Sequence, residues 1–222
     1  MTVIRETVEF CDYFDRAQSL TTSPGHNGWT IKDTSSIGTP TYAVITEDGG
    51  ALQLKLASSS EAEIVTAYHN DILCFDLAKI QSIEVIAKVQ GIDSVTTLTM
   101  GVGTAQNDTD DSVTNHAWFR MQGSASTSNL VVETDDGTND NNDVATGDTL
   151  ANVYKQLLID FENGLSDIRF YIDGDRVADG TTFDMSNVTS GKNVQPFIQL
   201  QRPVVRASHP WKSPSTKSTK PR

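Results

Sequence analysis

Residues 154–180 read YKQLLIDFENGLSDIRFYIDGDRVADG, and this stretch decides the fold. Apolar and polar residues alternate on both sides of a turn around Gly164, which is the pattern of two antiparallel strands with one buried face. The large apolar residues that share this face are Leu157, Ile159, Phe161, Ile168, Phe170 and Ile172. Burying most of them contributes on the order of ten kcal/mol before entropy, at about 1.5 to 3 kcal/mol each. A second turn around Gly174 predicts a third antiparallel strand through residues 176–178.

The same two-residue alternation recurs along the chain. It predicts further strands within residues 8–14, 41–46, 51–57, 62–68, 82–90, 95–102, 117–121, 129–133 and 197–201. Asp-Gly and Asn-Gly pairs separate several of these segments and suit tight hairpins. About a dozen short strands and no helix of standard length indicate an all-β sandwich, jelly roll or barrel.

Composition and charge divide the chain into two parts. The 222 residues include 37% apolar residues, which suits one domain. Residues 1–201 hold 11 Lys and Arg against 29 Asp and Glu, a net charge of −18, whereas residues 202–222 hold six basic residues, no acidic ones and four of the seven prolines. We therefore expect a β-sandwich domain over residues 1–201 and an extended basic arm over residues 202–222. The acidic domain would repel nucleic acid and anionic membranes.

The sequence shows no export or anchoring signal. Its N-terminal residues lack a continuous apolar segment of signal-peptide length, and no window approaches the ~18 apolar residues that a membrane span needs. Two cysteines, Cys11 and Cys74, are too few for a disulfide framework. We expect both to be reduced, buried thiols.

Several phrases resemble the concanavalin A-like lectin/glucanase superfamily, especially its laminin G-like members. They are YKQLLIDFENGLSDIRFYIDGDRVADGTTF, the early FCDYFD, and the later GWTI and GGALQLKL. The resemblance covers about residues 8–201 and extends to versions of the domain carried on tailed-phage virion proteins. It implies a concanavalin A-like jelly roll, a sandwich of two antiparallel sheets.

The C-terminal end of the domain departs from the family pattern. Such domains usually finish with a strand that pairs back near the N-terminus, whereas here the chain passes into the basic arm after Gln201. Either another segment pairs with that edge, or the edge is open to a partner.

Catalytic motifs are missing from the sequence. Glucanases of this superfamily use carboxylates in a pattern like Glu-x-Asp-x-x-Glu, and Glu61 and Glu63 lack the third acid. We interpret both as a solvated strand entrance. The four histidines have no metal-binding spacing, and no Gly-x-Ser-x-Gly motif is present. We therefore expect no enzymatic activity.

Residues 133–148 are polar and acidic, which predicts a long exposed loop. Laminin G-like domains often bind calcium at such loops, and carboxylates are the ligands that calcium prefers. The candidate ligands are Asp135, Asp136, Asp140 and Asp143. The alternative is that this acidic run is only solvated, with no cofactor bound.

Aromatic side chains offer a candidate glycan site. Trp118 and Arg120 lie on the opposite strand face from Phe119 and Met121, and sugars stack on exposed aromatic rings. Further aromatic candidates are Trp29, Tyr68 and Tyr171. The alternative is that these aromatics belong to the core.

The arm carries the candidate docking residues. They are Arg202, Arg206, Trp211 and Lys212. A single tryptophan in a polar arm suits an anchor for a partner's pocket, and the alternative is an arm with no partner.

Three functions follow from these features. The first is a non-enzymatic virion protein, a capsid decoration or cement protein of a tailed bacteriophage, made in the host cytoplasm and docked through its arm on the major capsid protein or other virion subunits. The second is a carbohydrate-binding or adhesion module with a lectin-like fold. The third, a glycosidase, has the least support because the carboxylate motif is missing. A homo-oligomer is compatible with the first two.

Overall fold

Antiparallel strands make up nearly all of the regular structure. The computed structural model describes Phe14, Leu20 and residues 24–47, 50–57, 62–90, 95–122, 129–188 and 192–202, and within these ranges it contains no α-helix. The strands are β1 (Thr30–Asp33), β2 (Thr41–Ile45), β3 (Ala51–Lys55), β4 (Glu63–Tyr68), β5 (Phe75–Asp76), β6 (Ser82–Ala87), β7 (Thr97–Gly103), β8 (His116–Gln122), β9 (Asn129–Asp135), β10 (Asp140–Thr149), β11 (Lys155–Asp160), β12 (Arg169–Ile172), β13 (Asp175–Val177) and β14 (Asn193–Arg202). Short 3-10 helices lie at His26–Gly28 and Asp110–Ser112. The all-β prediction is confirmed.

The strands form a large sheet, a small sheet and a separate hairpin. The large sheet has the order β1-β4-β14-β7-β8-β9-β10, with β5 pairing at the start of β14. The small sheet has the order β13-β12-β11-β6, and among the described strands β2 pairs only with β3. All of these pairings are antiparallel, and the two main sheets pack face to face as a concanavalin A-like jelly-roll sandwich.

The stretch that decides the fold supplies three strands of the small sheet. β11 pairs with β12, and β12 pairs with β13 through the turn at Asp173 and Gly174, both of which have positive φ. The six predicted apolar residues are all buried, at 0 to 4% exposure. They face the large sheet, where the ring of Phe119 meets that of Phe170 edge-on at 5.3 Å. The predicted core stripe is therefore confirmed.

The described residues of β14 lie inside the large sheet. The strand pairs with β4 on one side and β7 on the other, so that Gln201 is opposite Ile64 and Thr97. Of the two alternatives for the edge after Gln201, pairing by other segments of the chain is therefore the correct one. The edges of the sheet's strand order are β1 and β10.

The positions of Glu63 and Arg202 show that two sequence predictions were wrong. Glu63 is fully buried rather than solvated, and Arg202 belongs to β14 and is 7% exposed rather than part of a free arm. The guanidinium of Arg202 donates to Glu63 Oε2 at 2.6 Å and to the carbonyl of Ala57 at 2.6 Å. The pair is buried because β4 and β14 are neighbours and bring opposite charges together at their ends.

Residues 133–148 are not an exposed loop, so that prediction is wrong. They form most of a hairpin in which β9 pairs with β10 with two register shifts. Asp136 shapes the turn by accepting hydrogen bonds from the backbone N–H groups of Thr138 and Asn139 at 2.9 and 2.6 Å. The strand is polar because β10 is at the edge of the sheet, where carboxylates deter pairing with other chains.

Gly101 allows β7 and β8 to approach closely. A Cβ at this position would lie 2.3 Å from the carbonyl oxygen of Ala117 and 2.7 Å from Trp118 Cα. Because most of these atoms are backbone, no rotamer change relieves the overlap. We predict that Gly101→Ala lowers the free energy of unfolding by about 2 to 3 kcal/mol, as overpacking does.

Urea denaturation measures the effect of Gly101→Ala, and Gly180→Ala is the matched control. Gly180 has open space around its Cβ position and should change the midpoint little. Equal stabilities of the two variants would contradict the close approach of β7 and β8.

Candidate functional site on the large sheet

One face of the large sheet is polar and yet largely buried. Because side chains alternate along each strand, the residues that point away from the sandwich core form rows across the sheet. We call this surface the polar face; its members are Thr30, Lys32, Ile64, Thr66, Tyr68, Thr97, Thr99, His116, Trp118, Arg120, Gln122, Val131, Glu133, Asp135, Gln195, Phe197, Gln199 and Gln201. Arg120, Glu133 and Gln199 are each 2% exposed or less.

Residues 104–115, which connect β7 to β8, cover this face, and we call them the covering loop. Gln106 donates to Gln199 Oε1 at 3.1 Å, and Thr99 Oγ1 donates to Asp110 Oδ2 at 2.8 Å. Val113 is fully buried and packs against aromatic rings of the face. The loop thus closes over the strands that it connects.

Three aromatic rings stack beneath the covering loop. The rings of His116 and Trp118 are parallel, with centroids 3.6 Å apart, and the ring of Phe197 lies 5.7 Å from Trp118. Val113 packs on Trp118 and Phe197. The indole N–H of Trp118 is buried and has no hydrogen-bond partner among the described residues, a cost that the surrounding packing must offset.

Arg120 is the central charge of the polar face. Its Nη2 atom lies 2.9 Å from Glu133 Oε2 in an ionic contact, and Nε donates to Asp143 Oδ1 at 2.9 Å. Nη1 donates to Asp111 and lies 3.7 Å from Asp110 Oδ2. Burial by itself lowers the pKa of Arg120, but the charge of Glu133 and the bonds to Asp111 and Asp143 outweigh burial and raise it. The guanidinium therefore contacts four carboxylates from three different segments.

His116 links the covering loop to β9. Its Nδ1 atom lies 2.8 Å from the carbonyl oxygen of Val113, and its Nε2 atom lies 3.0 Å from Glu133 Oε1. The ring is 1% exposed. His116 and Arg120 are therefore both bound to Glu133, and each also holds the covering loop.

The other end of the covering loop is held by neutral amides and one ion pair. Lys32 Nζ lies 3.1 Å from Asp108 Oδ1, and Gln195 donates to the carbonyl of Thr104 at 3.0 Å. Burial alone raises the pKa of Asp108, but hydrogen bonds from Gln106 and Lys32 outweigh it and lower the pKa. Asp108 thus stays ionised opposite Lys32.

A narrow part of the polar face, next to the row of Arg120, is only half-buried by the residues that the structure describes. We call it the open strip: Ile64, Thr97, Gln122 and Gln201, which lie opposite one another on β4, β7, β8 and β14 and are half-buried. Gln122 donates to Asp143 Oδ2 at 2.7 Å. Primary amides both donate and accept, so this strip can bind neutral polar ligands.

Trp118 and Arg120 lie as the alternation predicted, on the face opposite Phe119 and Met121. Neither side chain is free for a ligand, because Trp118 is 0% exposed and Arg120 is 2% exposed beneath the covering loop. Trp29 and Tyr68 are also buried, at 6 and 7%. Tyr171 is half-buried on β12 of the small sheet, away from the polar face.

The four predicted calcium ligands do not converge. Asp135 accepts the N–H of Gly137, Asp136 accepts those of the hairpin turn, Asp140 accepts the amide of Asn142, and Asp143 binds Arg120. Among the residues that the structure describes, no group of three or more His, Cys, Asp or Glu is placed to hold a metal ion.

Of the predicted docking residues, only Arg202 falls in the described part of the chain, where it pairs with Glu63. Arg206, Trp211 and Lys212 lie outside the described residues, as does Cys11. Cys74 is exposed rather than buried, and its Sγ lies 3.6 Å from His69 Nδ1. No helix within the described ranges is long and apolar enough to span a membrane.

Sequence reasoning missed His116, Glu133 and the glutamines of β14. The alternation in HAWFRMQ places His116 on the same face as Trp118, and QPFIQLQ places Gln195 and Gln199 beside Phe197. Those signals were available. The covering loop was not predictable, because residues 104–115 show no periodicity and read as a solvated turn.

No protein-family model matches the chain, and no curated protein matches it in sequence. Among solved structures, a Bacteroides ovatus mixed linkage glucan GH16 protein in complex with a G4G4G3G product is similar, with a TM-score of 0.52 at 11% identity over 81% of this chain and 83% of that chain. A protein of unknown function from Shewanella oneidensis MR-1 has a TM-score of 0.48 at 9% identity, over 87% of this chain and 89% of that chain. The carbohydrate binding module CBM66 from Bacillus subtilis has a TM-score of 0.36 at 11% identity, over 82% of this chain and 89% of that chain. At 11% identity the likeness to the GH16 protein, the one of these three with a TM-score above 0.5, shows the fold alone, and it supports the jelly-roll assignment.

Replacing Arg120 tests its role as the compensating charge. We predict that Arg120→Met lowers the free energy of unfolding by about 3 to 5 kcal/mol, because it leaves Glu133 and Asp110 buried without their cation. Urea denaturation at neutral pH measures the loss, and Arg169→Met is the control.

Arg169 pairs with Asp167 at the surface, and surface pairs contribute little. The control should therefore leave the urea midpoint nearly unchanged. A similarly small effect of Arg120→Met would contradict the compensating role.

Proposed function

We propose that the chain is a non-enzymatic, lectin-like module that binds a glycan along the open strip of the polar face. The observation that supports this most directly is the pair of half-buried glutamines, Gln122 and Gln201, on either side of Thr97. Amide and hydroxyl groups match the hydroxyls of a sugar, which also donate and accept.

The state of the buried carboxylates supports a non-catalytic role. A glycosidase needs one carboxyl group that gives up a proton to the substrate and a second that attacks or activates water. On the polar face, Glu133 contacts both His116 and Arg120, and Asp110 accepts from Thr99 and Gln201. Glu133 lies beneath residues 104–115 and Asp110 belongs to them, and the two carboxyl groups are 1 and 4% exposed. Their geometry suits charge compensation.

A capsid decoration protein on a tailed-phage virion is the second candidate. The observation that favours it is the closure of the polar face: Val113 of the covering loop packs on Trp118 and Phe197, and both aromatic rings on which a sugar would stack are buried. A face that its own loop closes leaves these rings unavailable to a sugar, which is compatible with a purely structural role. Docking would then involve residues 203–222, because Arg202 is already paired within the domain.

One set of measurements separates the two candidates. We predict that the full chain binds at least one oligosaccharide on a glycan array, and that Gln122→Ala combined with Gln201→Ala weakens binding roughly tenfold by calorimetry as two hydrogen-bonding groups are lost. The control is Gln156→Ala, at an exposed position of β11 on the small sheet.

Unchanged affinity in the double variant would show that a bound glycan lies outside the open strip. Absence of binding to every glycan would reject the first candidate. Co-sedimentation of the full chain, but not of a chain ending at Arg202, with capsids of a phage that encodes it would then support the second.

A further inference from the structure

Both glutamines of the open strip hold their side-chain nitrogen against a carboxylate. Gln122 Nε2 donates to Asp143 Oδ2 at 2.7 Å, and Gln201 Nε2 donates to Asp110 Oδ1 at 3.2 Å. A carboxylate only accepts hydrogen bonds, so each amide must turn its nitrogen towards the acid and its oxygen away from it. The two carboxylates therefore fix the orientation of both amides.

The oxygen atoms of these amides remain able to accept hydrogen bonds. Among the described residues, Gln122 Oε1 accepts none, and Gln201 Oε1 accepts one, from Gln199 Nε2 at 3.2 Å. Thr97 lies between the two glutamines and adds a hydroxyl group. Each amide nitrogen also keeps a second N–H. A sugar hydroxyl can use all of these groups, because it both donates and accepts, whereas a carboxylate or a sulfate can use only the N–H groups and the hydroxyl.

The charge beside the open strip is negative. Arg120 is in contact with four carboxylates, which belong to Asp110, Asp111, Glu133 and Asp143. One guanidinium therefore faces four negative charges, and a proton on His116, which contacts Glu133, would still leave the group negative. The guanidinium is also 2% exposed, so a ligand on the strip does not meet it directly.

The neighbouring residues do not reverse this charge. Arg202 follows Gln201 on β14 and is paired with Glu63. Residues 123–128, which follow Gln122, read GSASTS and contain no charged residue. An anion bound to the second N–H of either glutamine would lie next to Asp110 or Asp143, because that nitrogen already donates to the acid. Like charges at such a distance repel each other, whereas an ammonium group would be attracted and would donate to the amide oxygens.

We propose that the open strip selects glycans by charge: it binds neutral sugars and amino sugars, whose hydroxyl and ammonium groups donate hydrogen bonds, and it excludes uronic acids and sulfated sugars. Asp110 and Asp143 have two roles in this selection, because they orient the amides and repel anions. The inference rests on the glycan function proposed above and adds the class of sugar.

Charged spin labels test the sign of the charge without any glycan. Carboxy-PROXYL and aminomethyl-PROXYL carry opposite charges on the same nitroxide ring. In the full chain at low ionic strength, the side-chain amide protons of Gln122 and Gln201 should relax at least roughly threefold faster with the cationic label than with the anionic one. The difference should shrink at about 1 M salt, where screening is strong.

Gln53 is the internal reference for this measurement, because it lies on the separate hairpin, two positions before Lys55 and on the same strand face. Its amide protons should show no preference for the cationic label. Equal relaxation of the strip amides by the two labels, or faster relaxation with the anionic one, would overturn the proposal. So would a cationic preference of the same size at Gln53.

Three tetrasaccharides with the same linkage and ring configuration test the class of sugar. Cellotetraose is neutral, its glucosamine analogue is cationic and its glucuronate analogue is anionic. The first two should shift the amide signals of Gln122 and Gln201 in the full chain, and the third should not. Comparable shifts with the glucuronate analogue would overturn the proposal. If none of the three shifts these signals, the result counts against the glycan function, and the spin labels still decide the charge selectivity.

Asp143→Asn removes one of the two carboxylates that touch the strip glutamines. In this variant, the ratio of relaxation by the cationic label to that by the anionic label should fall at least roughly twofold at Gln122. The matched control is Asp140→Asn, which changes the net charge equally on the same strand, at a carboxylate that accepts from Asn142. The control should leave the ratio nearly unchanged. Equal falls in both variants would show that the net charge of the protein, and not Asp143, sets the preference.

Discussion

The polar face of the large sheet is stable only because the charge of Arg120 is buried together with the carboxylates that surround it. An isolated buried carboxylate is costly, and the Coulomb attraction of one guanidinium offsets much of that cost when the geometry is close. Arg120 reaches Glu133 on β9, Asp143 on β10, and both Asp110 and Asp111 on the covering loop. One side chain thus ties three segments together and allows the loop to close over the aromatic stack.

The sequence predicts the sandwich core well and the polar face poorly. Leu157, Phe170 and their neighbours alternate within strands, so local pattern and tertiary burial agree. Glu63 and Glu133 are charged and read as solvated, because their partners, Arg202 and Arg120, come from other strands. Pairing between distant segments leaves no local signal.

The prediction of an exposed loop at the acidic hairpin β9–β10 was wrong for a different reason. An edge strand has few apolar residues to mark it, and register shifts interrupt the alternation that remains. Asp143 lies within the first of these shifts, between Asn141 and Val144, and has positive φ, and it reaches Arg120 from there. A run that looks like a solvated loop therefore supplies part of the buried charge network.

Solvent access to Trp118 is the measurement that tests the central claim most directly. In a chain carrying Trp29→Phe and Trp211→Phe, Trp118 is the only tryptophan left. The closed polar face predicts blue-shifted emission and acrylamide quenching at least roughly tenfold slower than for free tryptophan, as for an indole in a close-packed interior. Quenching at the rate of free tryptophan would show that residues 104–115 do not cover the face.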